Sequence, residues 1–338
     1  MSAEKRRRIL TGDRPTGRLH LGHWIGSVQN RVRLQDEYEC IFIVADLHTL
    51  TTRPEKDALA LVPENIRLMV LDYLAAGIDP ERATIFVQSA VPETAELNLL
   101  FEMLVTVPRL ERLPSIKDMA SAAGLEAMPF GLLGYPVLQA ADILLPRADL
   151  VPVGKDNLAH VEITREIARR FNYLYGDTFP EPDALLSEVA TLPGIYGGQK
   201  MSKSLDNAIM LSDTEDEVRR RVMQMYTDPA RVRADIPGVV ERNPVFVYHD
   251  AFNTDAAEVE DLKTRYREGR VGDVEVKKKL IVAIESVLAP MREKRRQLES
   301  GPDIVEDILH TGNERMRAIA GDTMAKVREA MGLTYYRR

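Results

Sequence analysis

Residues 6–23 read RRRILTGDRPTGRLHLGH, a short apolar run followed by a polar turn and two histidines. The apolar run predicts a strand, and the pattern over about 21–34 predicts a helix directly after it. A second apolar run over 39–46, ECIFIVAD, predicts a buried strand, which is followed by a helix over about 55–76 and a third strand over 83–88. This alternation is typical of a parallel α/β sheet with right-handed crossovers.

The chain beyond this segment changes character twice. Helices dominate from about 94 to 145, a strand is predicted over 149–153, and a long helix over 157–172. Clustered glycines and prolines predict a loop over about 191–206. Beyond residue 214 no strand is predicted, and charged helices are expected over 214–225, 256–299 and 302–331.

The length favours two domains, because 338 residues are more than one core usually sustains. We expect an α/β domain over 1–205 and an all-α domain over 206–338, whose last helices can still pack back on the first domain.

Composition and charge exclude several classes of protein. The single cysteine, Cys40, excludes an internal disulfide framework and a cysteine-based zinc site, and it fits a reducing compartment such as the cytoplasm. No apolar run suits a signal peptide or a membrane span. The chain has 52 acidic and 45 basic residues, and this acidic excess argues against non-specific coating of nucleic acid. It does not exclude a nucleic-acid ligand held by a local basic face.

The two histidines of the opening segment, His20 and His23, follow the first predicted strand and open the first helix. That junction lies at the carboxyl edge of a parallel sheet, where a helix N-terminus favours anions. Gly22 leaves little bulk there for a phosphate to approach the backbone. Two other interpretations remain: a metal site completed by Asp46 and His48, and a purely structural pair.

A second motif, KMSKS (200–204), follows Gln199 in the glycine-rich loop. Taken alone, it is usually a solvated turn, but its spacing and flexible flank suit a lid that brings ammonium groups to phosphate oxygens. Each motif alone is weak evidence. Together, in this order and at this separation, the two motifs resemble those of class I aminoacyl-tRNA synthetases, which have a Rossmann-like sheet.

Further segments are similar to bacterial tryptophanyl-tRNA synthetases, and the similarity runs from about residue 9 to the C-terminus. They are AGIDP (76–80), LER (110–112), GYPVLQAADILL (134–145), DLVPVGKD (149–156), residues 160–165 and KSLDN (203–207). The resemblance implies that ATP, accompanied by Mg²⁺ but with no metal held by the protein, activates L-tryptophan. It further implies transfer of tryptophan to the 3′ end of tRNA(Trp), a homodimer that one tRNA bridges, and no membrane association.

The resemblance also implies the site residues. Groups that act on the reacting phosphates are His20, His23, Lys117, Lys200 and Lys203. The ATP site is formed by Arg14, Pro15, Thr16, Gly22, His23, Gly154, Lys155, Asp156, Lys200, Met201, Ser202, Lys203 and Ser204. For the amino acid, Asp142 accepts the indole N–H, Tyr135 and Gln139 hold the ammonium group or the ring, and the slot is shaped by Leu10, His48, Val151 and Val153.

Tyrosyl-tRNA synthetases are the nearest alternative, because they share the fold, both motifs and a helix like 135–142. They place a tyrosine at the position of Leu10 to bind the substrate hydroxyl, and leucine cannot replace that hydrogen bond.

The chain also departs from the tryptophanyl pattern at three positions. Arg14 and Asn157 each stand where glutamine is usual, and Gln139 stands where methionine is usual. Gln139 makes the pocket more polar, which would suit a divergent second copy that tolerates modified indoles.

The predicted helical domain carries basic clusters at 219–221, 277–279, 294–296 with Arg292, and 337–338. Each is by itself best explained as a solvated helix face, while the family resemblance makes some of them candidates for tRNA phosphate contacts.

Two further classes of function remain open: an adenylyltransferase of the same superfamily, and a catalytically idle relative.

Overall fold

The computed structural model of the chain describes residues 6–116, 119, 127–154, 157–186 and 191–335. Among these residues, five strands form one parallel sheet in the order β3-β2-β1-β4-β5. The strands are β1 Arg8–Asp13, β2 Glu39–Val44, β3 Ala83–Val87, β4 Leu150–Val153 and β5 Asp183–Leu186. The predicted α/β class is therefore confirmed.

Helices flank this sheet and are the other main elements of the described chain. In the first half they are α1 Leu21–His23, a π-helical turn Trp24–Val28, α2 Gln29–Leu34, α3 Asp46–Leu50, α4 Lys56–Ala60, α5 Val62–Ala76, α6 Glu93–Glu102, α7 Val107–Glu111, α8 Phe130–Leu144 and α9 Leu158–Tyr175. In the second half they are α10 Glu215–Met223, α11 Pro244–Phe252, α12 Ala256–Arg267, α13 Asp273–Ser300 and α14 Ile304–Ala330. Within the described residues, no strand follows residue 214, as predicted.

The core lies on both faces of the sheet because successive side chains of a strand alternate between the faces. On β2, Cys40 and Phe42 pack in one apolar cluster, whereas Ile41 and Ile43 pack in the other. Leu10 of β1 belongs to the second cluster. Helices cover both clusters, which is why β2 and β3 are nearly continuous apolar runs and β1 carries the buried pair Ile9 and Leu10.

The structure corrects two predictions in the helical half. The single helix expected over 256–299 is wrong, because the chain breaks between α12 and α13 at Gly269, which has a φ of +66° that glycine adopts without strain. Helix α11 was not predicted. Its start is nevertheless marked in the sequence by Asn243, whose side chain accepts the N–H of Val245, and by Pro244 in the first turn.

Helix α14 packs against the edge strand β3. Gly312 approaches the strand so closely that a Cβ there would lie 1.8 Å from the carbonyl oxygen of Ile85. The next residue, Asn313, accepts the N–H of Val87 through its side-chain oxygen at 2.9 Å. The helix therefore covers an edge that would otherwise present unpaired backbone groups.

Helix α13 joins the helical half to the sheet through a buried ion pair between Arg295 and Asp72 of α5. The other oxygen of Asp72 accepts the N–H of Leu19 at 2.6 Å, directly before residues 20–23, the histidine turn.

None of the described helices has the length and apolar character that crossing a membrane requires.

Candidate active site

The histidine turn lies at the carboxyl edge of β1. The backbone N–H of His20 donates to Nδ1 of His23 at 3.1 Å, and the two ring centroids are 3.7 Å apart. Because a backbone N–H can only donate, Nδ1 of His23 is unprotonated and the proton of the neutral ring lies on Nε2. A Cβ on Gly22 would come within 2.9 Å of the His20 ring. The His20 ring thus occupies the space that a larger side chain at residue 22 would need.

Burial keeps both imidazoles neutral. It lowers the pKa of His20 to about 3, with further lowering by His23 and by the cations of Lys203 and Lys200. It lowers the pKa of His23 to about 4, although the carboxylate of Asp13 acts in the opposite direction. At neutral pH the pair therefore offers hydrogen bonds and not positive charge.

A buried polar cluster supports the turn from behind. The Asp13 carboxylate, at the end of β1, accepts from Arg31 at 2.7 Å and from the hydroxyl of Tyr73 at 2.6 Å. Burial alone would raise the pKa of Asp13, but the guanidinium and these hydrogen bonds outweigh it and lower the value to about 2. Asp13 thus remains ionised beside His23.

The lysine loop, residues 200–204, is folded onto the histidine turn. The ammonium group of Lys203 donates to the carbonyl of Thr16, to its hydroxyl at 3.2 Å and to the carbonyl of Arg18 at 2.9 Å. The N–H of Gly22 points to the sulfur of Met201 at 3.3 Å. Lys200 is exposed. One lysine is therefore docked beside the histidines and the other faces solvent.

Backbone pairing explains why the two motifs meet although they are far apart in sequence. Leu21 donates to the carbonyl of Ile209 at 2.9 Å, and Leu211 donates to that of Leu19 at 2.8 Å. The side chain of Asn207 accepts the N–H of Ser202 at 2.7 Å and fixes the loop. Asn207 was not among the predicted site residues.

The candidate amino-acid pocket contains Asp142, which is buried on α8. Its Oδ2 lies 2.9 Å from Nε2 of His48, and Nε2 of Gln88 lies 2.8 and 2.9 Å from its two oxygens. Burial raises the pKa of Asp142, while His48 and Gln88 oppose that rise by hydrogen bonding to the carboxylate. Gln88 was not among the predicted site residues, although a polar residue directly after an apolar strand was an available signal.

Tyr135 lies on one side of this pocket, with its ring edge-on to that of His48 at 6.3 Å. Its hydroxyl lies 2.8 Å from both the hydroxyl of Ser115 and Nε2 of His160. Neither Ser115 nor His160 was predicted as a site residue, because the network joins three separate segments. Gln139 is half-buried. The predicted slot residues Leu10 and Val151 belong to the apolar cluster that contains Tyr135, and Val153 packs against that cluster.

The other predicted ATP residues have varied environments. Arg14 is exposed and reaches the hydroxyl of Thr52 at 3.4 Å, whereas Pro15 is buried. The hydroxyls of Ser202 and Ser204 are 3.0 Å apart, and Gly154 is half-buried. Lys117, Lys155 and Asp156 lie outside the described residues.

The carboxylate of Asp46, a metal ligand in one interpretation of the sequence, accepts from the backbone of Leu47 and Ser89 at 3.1 and 3.0 Å. Among the described residues no group of three His, Cys, Asp or Glu side chains is arranged to hold a metal ion.

Most basic residues of the predicted clusters are already engaged. Arg220, Lys278 and Lys294 are exposed and form no ion pair within the described chain, and Arg337 and Arg338 lie outside it. The engaged residues are Arg219 with Glu215, Arg221 with Asp206, Lys277 with the carbonyls of Met223 and Met225, Lys279 with Glu258, Arg292 with Glu285, Arg295 with Asp72 and Arg296 with Glu293.

Comparison with known proteins gives consistent matches over nearly the whole chain. A family model described as tRNA synthetases class I (W and Y) matches residues 1–289. The tryptophan–tRNA ligase of Treponema pallidum (strain Nichols) is 64% identical and covers 97% of this chain and 97% of its own length. That of Borreliella burgdorferi is 56% identical over 98% of this chain and 95% of its own. The crystal structure of tryptophanyl-tRNA synthetase from Campylobacter jejuni complexed with ADP and tryptophan has a TM-score of 0.83 and 32% identity, covering 96% of this chain and 99% of that one.

Proposed function

We propose, from the fact that the chain belongs to the class I tRNA synthetases of the W and Y type, that it is a tryptophan–tRNA ligase. It activates L-tryptophan with ATP to tryptophanyl-adenylate and pyrophosphate, and transfers tryptophan to the 3′ end of tRNA(Trp). The observation that carries the proposal is the contact of Lys203 with Thr16 and Arg18, which joins the lysine loop to the histidine turn.

In the first step an oxygen of the tryptophan carboxylate bonds to the α-phosphorus, and the bond from that phosphorus to the bridging oxygen of pyrophosphate breaks. Negative charge grows on the phosphate oxygens, so fixed donors stabilise the transition state more than the ground state. His23 would donate from Nε2, and His20 would act beside it. Lys200 and Lys203 would hold the leaving pyrophosphate, with Mg²⁺ bound to the nucleotide itself.

Tryptophan presents one polar ring atom, the indole N–H, and Asp142 would accept it. Tyr135 would orient the ammonium group through its hydroxyl. Leu10 supports tryptophan over tyrosine, because this residue is 3% exposed and lies in the same apolar cluster as Tyr135. A tyrosine hydroxyl beside leucine would lose a hydrogen bond on leaving water.

The remaining assignments follow from the same proposal. Residues 1–205 would carry the adenylation site, and residues 206–338 would bind the anticodon arm of the tRNA, with Arg220, Lys278 and Lys294 as available cations. The buried free thiol of Cys40 fits a cytoplasmic location.

The test is ATP–pyrophosphate exchange with tryptophan and with tyrosine. We expect exchange with tryptophan alone, and a fall of roughly 10²- to 10³-fold in kcat for Lys203→Ala, the effect of removing one donor from a transition-state site. Lys326→Ala is the matched control, because this exposed lysine lies on α14, outside the proposed binding residues, and should leave exchange unchanged. Exchange with tyrosine would contradict the specificity, and no exchange would favour an idle relative.

Charging of tRNA separates a synthetase from an adenylyltransferase. We expect tRNA(Trp) to be aminoacylated by the wild-type protein. Tryptophan-dependent exchange without charging would instead identify an adenylyltransferase that keeps the site and lacks the second step.

A homodimer is part of the proposal. Neighbouring elements α6, α7 and α8 and the residues next to their ends carry large apolar side chains that are exposed, which is typical of a surface covered by a partner. These are Leu99, Met103, Val107, Met128 and Phe130. We expect sedimentation at the mass of a dimer and monomers for the double variant Met103→Glu/Phe130→Asp; a wild-type monomer at micromolar concentration would contradict the assignment.

A further inference from the structure

Gln88 is held in one orientation at the end of β3. It begins the 3-10 turn that follows this strand and is completely buried. Its Oε1 accepts the backbone N–H of Leu47 at 3.1 Å. A backbone N–H can only donate, so this bond fixes which end of the amide is oxygen. The NH₂ group therefore faces the carboxylate of Asp142.

This arrangement uses most of the hydrogen-bonding capacity of Asp142. An ionised carboxylate has about four acceptor sites. Nε2 of Gln88 lies between the two oxygens at 2.8 and 2.9 Å and occupies the side that they share. Nε2 of His48 lies 2.9 Å from Oδ2. One acceptor site is left, on the outer side of Oδ1.

The same contacts favour the ionised form of Asp142. Protonation of Asp142 would either place an O–H against the NH₂ group of Gln88 or remove one of the two hydrogen bonds from that group. A carboxylate accepts both of these hydrogen bonds. The titratable groups that act on Asp142 are His48, which hydrogen-bonds to it and lowers its pKa, and Asp46, whose negative charge raises it. No Lys or Arg side chain forms an ion pair with it in the described part of the chain. The amide of Gln88 and the ring of His48 are thus its compensating partners.

We propose that Gln88 is a positioning residue that keeps one oxygen of Asp142 available as the acceptor for the ring N–H, and so sets the preference for tryptophan over ring analogues without that N–H. This inference rests on the function proposed above. It predicts that Gln88 affects recognition of the amino acid and leaves ATP binding unaffected.

The experiment compares tryptophan with its benzothiophene analogue, which has sulfur in place of the indole N–H and nearly the same shape. The readout is the ratio of kcat/KM for the two substrates in ATP–pyrophosphate exchange, together with the KM for ATP. In Gln88→Met the donor is absent, and we expect the ratio to fall at least about tenfold, the factor for one hydrogen bond to a charged group. A structural role alone would lower both substrates together and leave the ratio unchanged.

Gln88→Glu is the sharper variant, because it keeps the acceptor for Leu47 and changes only the group that faces Asp142. Two adjacent carboxyls share one proton at low pH, so the introduced carboxyl then donates to Asp142 as the amide does. We expect a ratio close to wild type at pH 6 and a loss of preference as pH rises toward 9.5, with no such trend in wild type.

The outcomes separate the two levels of inference. An active wild-type enzyme with an unchanged ratio in Gln88→Met would overturn the role of Gln88 and leave the proposed function intact. If Gln88→Met fails to fold, a flat ratio in Gln88→Glu from pH 6 to 9.5 overturns it. A wild-type protein that shows no exchange with tryptophan would refute the proposed function and this role together.

Discussion

The contact between helix α14 and strand β3 can be tested with two glycines of one helix. At Gly312 an added Cβ would lie 1.8 Å from the carbonyl oxygen of Ile85, whereas at Gly321 nothing lies within 4 Å. A carbon and an oxygen in contact are normally about 3.3 Å apart or more. Gly312→Ala therefore forces the helix and the strand apart by about 1.5 Å, and Gly321→Ala forces nothing.

The expected free energies follow from that displacement. Moving the helix strains the packing, at about 1–3 kcal/mol, and breaks the part-buried bond from Val87 to Asn313, at about 0.5–1.5 kcal/mol. The gain in helix propensity returns about 1 kcal/mol. We expect Gly312→Ala to lower the free energy of unfolding by roughly 0.5–3.5 kcal/mol and Gly321→Ala to raise it by about 1 kcal/mol.

Urea denaturation of both variants measures this difference, and hydrogen exchange of the Val87 amide reports the contact itself. The amide should lose protection in Gly312→Ala and keep it in Gly321→Ala. Unfolding free energies for the two variants within about 0.5 kcal/mol of each other, as for ordinary surface changes, would refute the close approach of α14 to β3.

Two further outcomes follow from the buried polar groups. The pKa values of His20 and His23, about 3 and about 4, lie below that of an unfolded histidine, so the unfolded chain binds protons first as the pH falls. The free energy of unfolding should therefore decrease from pH 6.5 toward pH 4, by up to ~1.4 kcal/mol per pH unit for each ring. The His20→Asn/His23→Asn variant should show a shallower slope of stability against pH, and an unchanged slope would contradict the low pKa values. Arg295→Met should lower the free energy of unfolding by about 3 kcal/mol, because it leaves the buried carboxylate of Asp72 without its partner. Adding Asp72→Asn should recover much of that loss in urea denaturation, and additive losses would show that the pair is not coupled.

The sequence revealed the elements that are apolar throughout and concealed those that are not. Strands β2 and β3 are buried on both faces, so their apolar runs predicted them directly, and in β1 the buried pair Ile9 and Leu10 supplied the signal. Strand β5, Asp183–Leu186, lies at the other edge and has no fully buried residue, so it gives no such run. The break between α12 and α13 depends on one glycine within a charged helical pattern, which periodicity cannot separate from a continuous helix.

The candidate site shows the same limit at the level of side chains. Asp142 and His48 were predicted separately, but their contact and the amide of Gln88 between two segments depend on how strands and helices pack. The family resemblance suggested that Lys203 acts on phosphate. Its bonds to the backbone of Thr16 involve carbonyl groups, which carry no trace in the amino-acid sequence.

The bond between Val87 and Asn313 joins residues 226 positions apart, and this separation sets an order of events during synthesis. At about 5–20 residues per second, the ribosome makes strand β3 roughly 10–45 s before the part of α14 that covers it. During that interval the edge of the sheet is open to other chains. A nascent chain halted before α14 would therefore be a template for aggregation, and a chaperone that shields this edge would act in the interval.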